Sequence, residues 1–320
     1  MNMKHLLTFL MLTYSYMLCG AQATSLTVDN QAPGWLSSKI GYGDQQTVEN
    51  ITITGYLNGT DFNFIAELNK LHNLRGKIDL SNCHIVSTTQ GVTTNANTLN
   101  AVWFEGCERI DTMVLPESCV DVSCGSGHYY LESINNLIIN CPNIEYVDFV
   151  GSNVYNVIIY DGPKTLNMGN AGAWHSVTWP STLKSLSLGS KRWIDCKGLL
   201  TIYSKVLNPN DISAPVGSFP GDPSGLKVIK NARIVVPVGT KELYTKLMDE
   251  SVEVVEDLYP ESISIKYDNS EMYVGETQTL IAQILPHNSL HNEVKWNSSD
   301  STIANIDNQG VVRGISFGEC

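Results

Sequence analysis

Charge is scarce in this sequence. Asp, Glu, Lys and Arg make up only 16% of its 320 residues, and 20 basic residues face 32 acidic ones, for a formal net charge of −12. A nucleic-acid surface needs clustered Lys and Arg to neutralise phosphates, so that class of partner is excluded. Electrostatic docking on anionic lipid is excluded on the same ground. Beyond the N-terminus no apolar run is long enough to span a bilayer, which takes about 20 residues. No zinc-protease helix, phosphate-cradling loop, calcium loop or Cys-x-x-Cys pair stands in the chain, and no nucleophile elbow is expected. His287 and His291 are four apart, but they fall in an expected solvated loop after Pro286, with no helix to align them as metal ligands. His84, His128 and His175 are scattered and are read as structural or exposed. No catalytic residue, metal site or cofactor is assigned, and the chain is not expected to be an enzyme.

What is plentiful is Ser, Thr, Asn and Gly beside 42% hydrophobic residues, a composition of turn-dense β proteins with a real core. The first 23 residues read as a signal peptide. Lys4 and His5 precede the apolar stretch Leu6 to Leu18, and Ala21-Gln22-Ala23 is a small-x-small cleavage site that puts the mature start near Thr24. A lipid anchor on Cys19 is the alternative, with Leu18 bulkier than that processing usually accepts. After cleavage seven cysteines remain, an odd count that leaves at least one thiol free.

One pattern recurs: apolar, two residues, apolar, one residue, apolar. It stands at Ile110-Met113-Leu115, Ile134-Leu137-Ile139, Ile144-Val147-Phe149, Val154-Val157-Ile159 and Leu183-Leu186-Leu188, and a variant ends at Ser204. The copies form two interleaved series. Met113, Leu137, Val157, Val177 and Ile202 are 24, 20, 20 and 25 residues apart, and Val122, Val147, Leu166 and Leu186 are 25, 19 and 20 apart. Each copy predicts a short strand with one face buried. A coil of two such strands cannot bury its face alone, so the coils must stack as a solenoid. Cys107, Cys141 and Cys196 each precede a copy by three residues. They are expected to point inward as small buried hydrophobes rather than form disulfides. Cys119 and Cys124 are the pair to consider if a bridge exists.

The phrase Phe104-Glu-Gly-Cys107-Glu-Arg-Ile110-Asp-Thr-Met113-Val-Leu115-Pro116 resembles the leucine-rich repeats of BspA-like bacterial surface proteins. Ile234-Val-Val-Pro237-Val-Gly-Thr-Lys-Glu-Leu-Tyr244 resembles the terminal cap of that family, a strand followed by a short helix. The repeats and this cap are placed at residues 74–257. Residues 24–73 are expected to cap the other end: a strand over Val48 to Tyr56, then a helix begun at Asn58 with Phe62, Ile65, Leu68 and Leu71 on one face.

Residues 258–320 change texture, with short alternating segments at Ser262–Ile265, Thr277–Ile284 and Val294–Trp296. Val294-Lys-Trp296-Asn-Ser-Ser-Asp300 and Ile303-Ala-Asn-Ile306-Asp-Asn-Gln-Gly310-Val-Val-Arg-Gly314 resemble a bacterial immunoglobulin-like domain of group 2. That resemblance implies a β-sandwich with Trp296 in its core and no disulfide. It ends at Cys320, before the closing strands. The expected fold class is therefore mainly β: a leucine-rich repeat solenoid capped at both ends, followed by a partial Ig-like β-sandwich.

The outward positions of the first series are Val114, Ile138, Ile158, Thr178 and Tyr203, and those of the second are Ser123, Asp148, Asn167 and Ser187. One ladder is mostly β-branched or aromatic and the other polar. Outward apolar rows mark contact surfaces, although β-branched residues also simply suit strands. Ile138, Ile158, Tyr160 and Tyr203 are the candidate ligand-binding residues. The expected partner is an extracellular protein or glycan. The BspA-like resemblance implies adhesion at the cell surface or after secretion. A structural stalk, or the non-catalytic front of a polysaccharide-acting enzyme, are the alternatives.

Overall fold

The computed structural model describes residues 24–90, 93–100, 107, 109–123, 134–148, 154–168, 174–187, 200–214, 225–267, 270–286, 290–291 and 293–320. The signal segment 1–23, Phe104, Cys124, His128, Phe149, Leu188, Cys196 and His287 lie outside these residues.

Alternation of apolar and polar residues makes short strands, and the strands sort into two parallel sheets. The larger is eleven-stranded. It runs β1 (Thr24–Asn30), β2 (Val48–Leu57), β3 (Lys77–Asp79), β6 (Ile110–Val114), β8 (Ile134–Ile139), β10 (Asn156–Ile159), β12 (Ser176–Trp179), β14 (Leu200–Ser204), β15 (Ala232–Val236) and β16 (Glu253–Glu256), with β4 (Cys83–Ile85) also paired to β2. The smaller holds β5 (Thr98–Asn100), β7 (Asp121–Ser123), β9 (Tyr146–Asp148), β11 (Thr165–Asn167) and β13 (Ser185–Ser187). From β5 to β14 the chain alternates between the sheets. Parallel neighbours need a crossover, and here each visit to one sheet is the crossover for the other.

The register joins the inward residues into columns. Ile51, Ile78, Met113, Leu137, Val157, Val177, Ile202, Ile234 and Val254 are successive partners in the larger sheet. Leu99, Val122, Val147, Leu166 and Leu186 are successive partners in the smaller. Both columns are buried and share one hydrophobic cluster. Both series expected from the sequence therefore lie in register. Each fully buried aliphatic side chain contributes about 1.5–3 kcal/mol.

Two helices near the ends of the larger sheet are held by dissimilar contacts. At the start, Asn58 caps the helix Gly59–Leu71, accepting from Thr60 N and Asp61 N, while Asp61 accepts from Asn58 N. The buried Asp61 carboxylate also accepts from Gly34 N at 2.6 Å and Leu36 N at 3.0 Å, tying the preceding loop to the cap. Leu71 departs from the expected helix face and is exposed, while the buried face runs through Phe62, Ile65, Ala66, Leu68 and Asn69. The parallel strand β1 and the short helices Leu36–Lys39 and Tyr42–Thr47 carry too little periodicity to be read from sequence. At the other end the helix Lys241–Leu247 buries Tyr244, whose hydroxyl meets Ser204 Oγ at 2.6 Å and donates to Val206 O at 2.7 Å. Burial pushes the Tyr244 phenol up to about 12. Ser204, at an apolar position of the repeat, is there to meet it.

The cysteines behave as small core residues. Cys83, Cys119 and Cys141 are buried free thiols, and Cys107 is half-buried and free. Cys83 Sγ donates to Ile53 O and Cys141 Sγ to Pro116 O. Cys119 hydrogen-bonds Cys141, which together with burial raises its pKa; Cys124, the partner considered for it, lies outside the described residues. Burial pushes the Cys83 thiol up to about 12 and Cys107 to about 11.

After Glu256 the chain enters antiparallel sheets. β17 (Ser262–Lys266) pairs β19 (Ile281–Leu285), and β18 (Thr277–Thr279) pairs β21 (Val311–Gly314), which also pairs β20 (Ala304–Ile306). The segment Thr277–Ile284, expected as one strand, is two strands in different sheets. It breaks at Leu280, whose N–H bonds Gly310 O. Val294–Trp296 forms no strand, and Trp296 is half-buried rather than a core residue. It lies against Gly310, where an added Cβ would sit 3.1 Å from the indole. Ile263, Ile265, Ile281 and Leu285 are all exposed. The junction is pinned: His291 Nε2 lies 2.6 Å from Asp257 Oδ1, and its ring stacks on Tyr259 at 3.8 Å. His291 is exposed and outside any helix or strand, as expected of a solvated loop, and it also has an acidic partner and a tyrosine beside it.

Gly55 has φ +92, and a Cβ there would stand 2.5 Å from Asn30 O. Gly55→Ala is expected to lower the unfolding free energy by about 1–3 kcal/mol in urea titration. Alkylation mapped by mass spectrometry is expected to label the exposed Cys320 in the native protein and to spare Cys83, Cys119 and Cys141 until unfolding. Because the Cys83 pKa is raised on folding from 9.0, its contribution to stability is full below pH 9.0 and is lost as pH rises towards about 12. A midpoint unchanged by Cys83→Ala in its alkaline dependence would contradict this.

Candidate functional site

Side chains that do not point inward along the larger sheet form rows on its outer face. The first row, set by register, is Asp79, Val114, Ile138 and Ile158, and it continues through Thr178, Tyr203, Val235 and Val255. Its middle is open to solvent: Ile158 is 36% exposed and Tyr203 46%, with Ile138 and Thr178 half-buried. Val114 belongs to the row but is buried at 9%, its short side chain standing between Asp79 and Ile138. Val235 is buried as well.

Tyr160 follows β10 directly. Its N–H donates to Ile139 O, its ring is 47% exposed, and Lys205 Nζ lies 5.1 Å from the ring centroid. A cation over a tyrosine face steadies both side chains. The structure thus places three of the four sequence candidates, Ile158, Tyr160 and Tyr203, exposed on one face, with Ile138 half-buried beside them.

A second row runs parallel to the first: Thr112, Asn136, Asn156, Ser176 and Thr201. Asn136 Nδ2 donates to Asp111 O, Asn156 Nδ2 to Asn136 Oδ1 at 2.9 Å, and Ser176 Oγ to Asn156 Oδ1 at 2.7 Å. One residue further out, Tyr155 and His175 stack at 4.8 Å with their rings 1° from parallel. Sequence reasoning missed Tyr155, His175, Asn136 and Asn156. The available signal was positional: Tyr155 and His175 each stand two residues before the central residue of their coil, Val157 and Val177, and are 20 apart.

The four neighbouring strands β8, β10, β12 and β14 contain no Asp, Glu, Lys or Arg. Charges resume on either side, with Lys77, Asp79 and Asp111 before them and Arg233, Glu253 and Glu256 after. The outer positions of the smaller sheet, Asp148, Asn167 and Ser187, are half-buried and polar. On this sheet Lys164 and Glu145 pair at 2.7 Å.

Among the described residues no group of three or more His, Cys, Asp or Glu is placed to hold a metal. Gly314-Ile315-Ser316-Phe317-Gly318 does spell the nucleophile-elbow pattern that was not expected. That pattern requires a strand, a sharp turn and a helix. Here no helix follows β21, and Ser316 Oγ donates to Thr302 O at 2.8 Å. No described helix is long and apolar enough to cross a membrane.

No curated protein matches the chain. Residues 261–320 match the family model of the bacterial Ig-like domain (group 2).

Proposed function

We propose that this chain is an exported, surface-displayed binding protein rather than an enzyme. In this reading residues 74–257 are BspA-like leucine-rich repeats with their cap, stacked as a solenoid behind the N-terminal cap 24–73. Residues 1–23 would direct export. The Ig-like module, of a kind that occurs in surface-associated proteins, would serve as spacer or anchor. The contact surface would be the outer face of the larger sheet, and the partner an extracellular protein or glycan.

The observation that carries the reading is the exposed row at the centre of that face. Parallel sheets usually have both faces covered. Here Ile158 on β10, Tyr160 directly after that strand and Tyr203 on β14 stand open, with β12 between the two strands. Aromatic side chains held in place by a sheet are efficient contact residues, since they lose little entropy on binding.

The test is the triple variant Ile158→Ala, Tyr160→Ala, Tyr203→Ala, assayed against matrix proteins and glycans that retain the wild-type chain. Association is expected to weaken by about 100-fold, as loss of a cluster of central anchors does. Unchanged binding by a variant that folds normally would move the contact surface elsewhere.

A further inference from the structure

The outer face has a composition that narrows the partner. Its four central strands carry no formal charge, in a chain whose net charge is −12. A charged polymer lying across them would find no row of counter-charges. The cations that border it are already engaged: Lys205 sits over Tyr160, and Arg109 Nε donates to Asn135 Oδ1 at the start of β8. An uncharged ligand is the electrostatic complement of this panel.

The amide row says more. Along it each amide uses one donor and one acceptor on its neighbours: Asn136 donates to Asp111 O and accepts from Asn156, and Asn156 donates to Asn136 and accepts from Ser176. Asn136 also approaches Thr112 Oγ1 at 3.4 Å, the long limit of such a bond. A side-chain amide has two N–H donors and two acceptor lone pairs. Asn156 therefore keeps one N–H and one lone pair for a ligand, and Asn136 keeps at least a lone pair. The fully buried centre of a protein–protein contact is more apolar than its rim. A row of half-used amides suits a partner whose own groups both donate and accept, as hydroxyls do.

Apolar and aromatic groups flank that row on both sides. Tyr155 and His175 stand on one side, and Ile158, Tyr160 and Tyr203 on the other. The rows cross the strands, so their groups repeat at the strand spacing of about 4.8 Å, comparable with the length of one sugar ring. Sugars present hydroxyl edges and C–H faces at once.

We infer that the charge-free panel of β8, β10, β12 and β14 binds a neutral polysaccharide lying across the strands, with its hydroxyls on Asn136, Asn156 and Ser176 and its C–H faces against Ile158 and Tyr203. The inference deepens the binding reading above and rests on it.

Affinity electrophoresis of the full chain through gels containing a soluble β-glucan, a mannan or a xylan tests it, with polygalacturonate as the acidic counterpart. At least one neutral polymer retards the protein. Asn156→Ala and Tyr203→Ala each weaken that association about tenfold, with the circular dichroism spectrum unchanged and binding measured well below the thermal midpoint of each variant. Lys205→Ala changes it by less than about twofold, as removal of a peripheral charge should. Two results overturn the assignment: no retardation by any neutral polymer, or retardation by polygalacturonate alone that Lys205→Ala abolishes. A parallel binding assay on immobilised matrix proteins separates the levels. If Tyr203→Ala abolishes capture by a matrix protein while no polysaccharide binds, the binding reading stands and the glycan assignment falls. If no partner of either class depends on the panel, both fall.

Discussion

Each parallel strand of this protein is three to ten residues long and buries one narrow face, so none is stable by itself. Everything else depends on the pairing of one coil with the next. Stacking puts Met113, Leu137, Val157, Val177 and Ile202 in one buried column and Val122, Val147, Leu166 and Leu186 in another. The two columns enclose the core between the sheets. The helix Gly59–Leu71 and the buried Tyr244 are fixed by different means, one through Asp61 and the capping box, the other through a phenol bonded to Ser204.

Stacking has a second consequence, on the outside. Fixing the inward residues in register also fixes the outward ones, so one residue type repeated in several coils becomes a continuous row. The hydrogen-bonded Asn136, Asn156 and Ser176 arise in this way, as does the stack of Tyr155 on His175. A row costs no additional fold to build. It needs only the same offset from the central residue in successive coils. This is how a regular scaffold can concentrate one chemistry on four strands while the flanking strands remain charged.

Legibility from sequence followed periodicity. The columns were readable because inward positions recur every 19–25 residues and any polar side chain there would be buried without a partner. The cysteines fitted the same logic. Where one contact overrides the period, reading failed. Leu280 bonds Gly310 and divides one expected strand into two, and Trp296 rests on Gly310 instead of entering a core. Val114 shares the outward position of Ile158 but is buried between Asp79 and Ile138, because exposure depends on the neighbours in the row and these are far away in sequence. The amide row was missed for the same reason: Asn136 and Asn156 are unremarkable as letters and acquire meaning only once register brings them to 2.9 Å.

The central claim is a division of labour, in which inward columns hold the fold and the outer row is left free for contact. Urea unfolding followed by circular dichroism tests it most directly, by comparing Leu137→Ala with the triple variant Ile158→Ala, Tyr160→Ala, Tyr203→Ala. Leu137 is fully buried, and its truncation is predicted to lower stability by about 2–5 kcal/mol. The triple variant is predicted to stay within about 1 kcal/mol of wild type, as substitutions at surface sites outside the packed core do. If the triple variant instead unfolds as readily as Leu137→Ala, the outer row is part of the structural framework and the division fails.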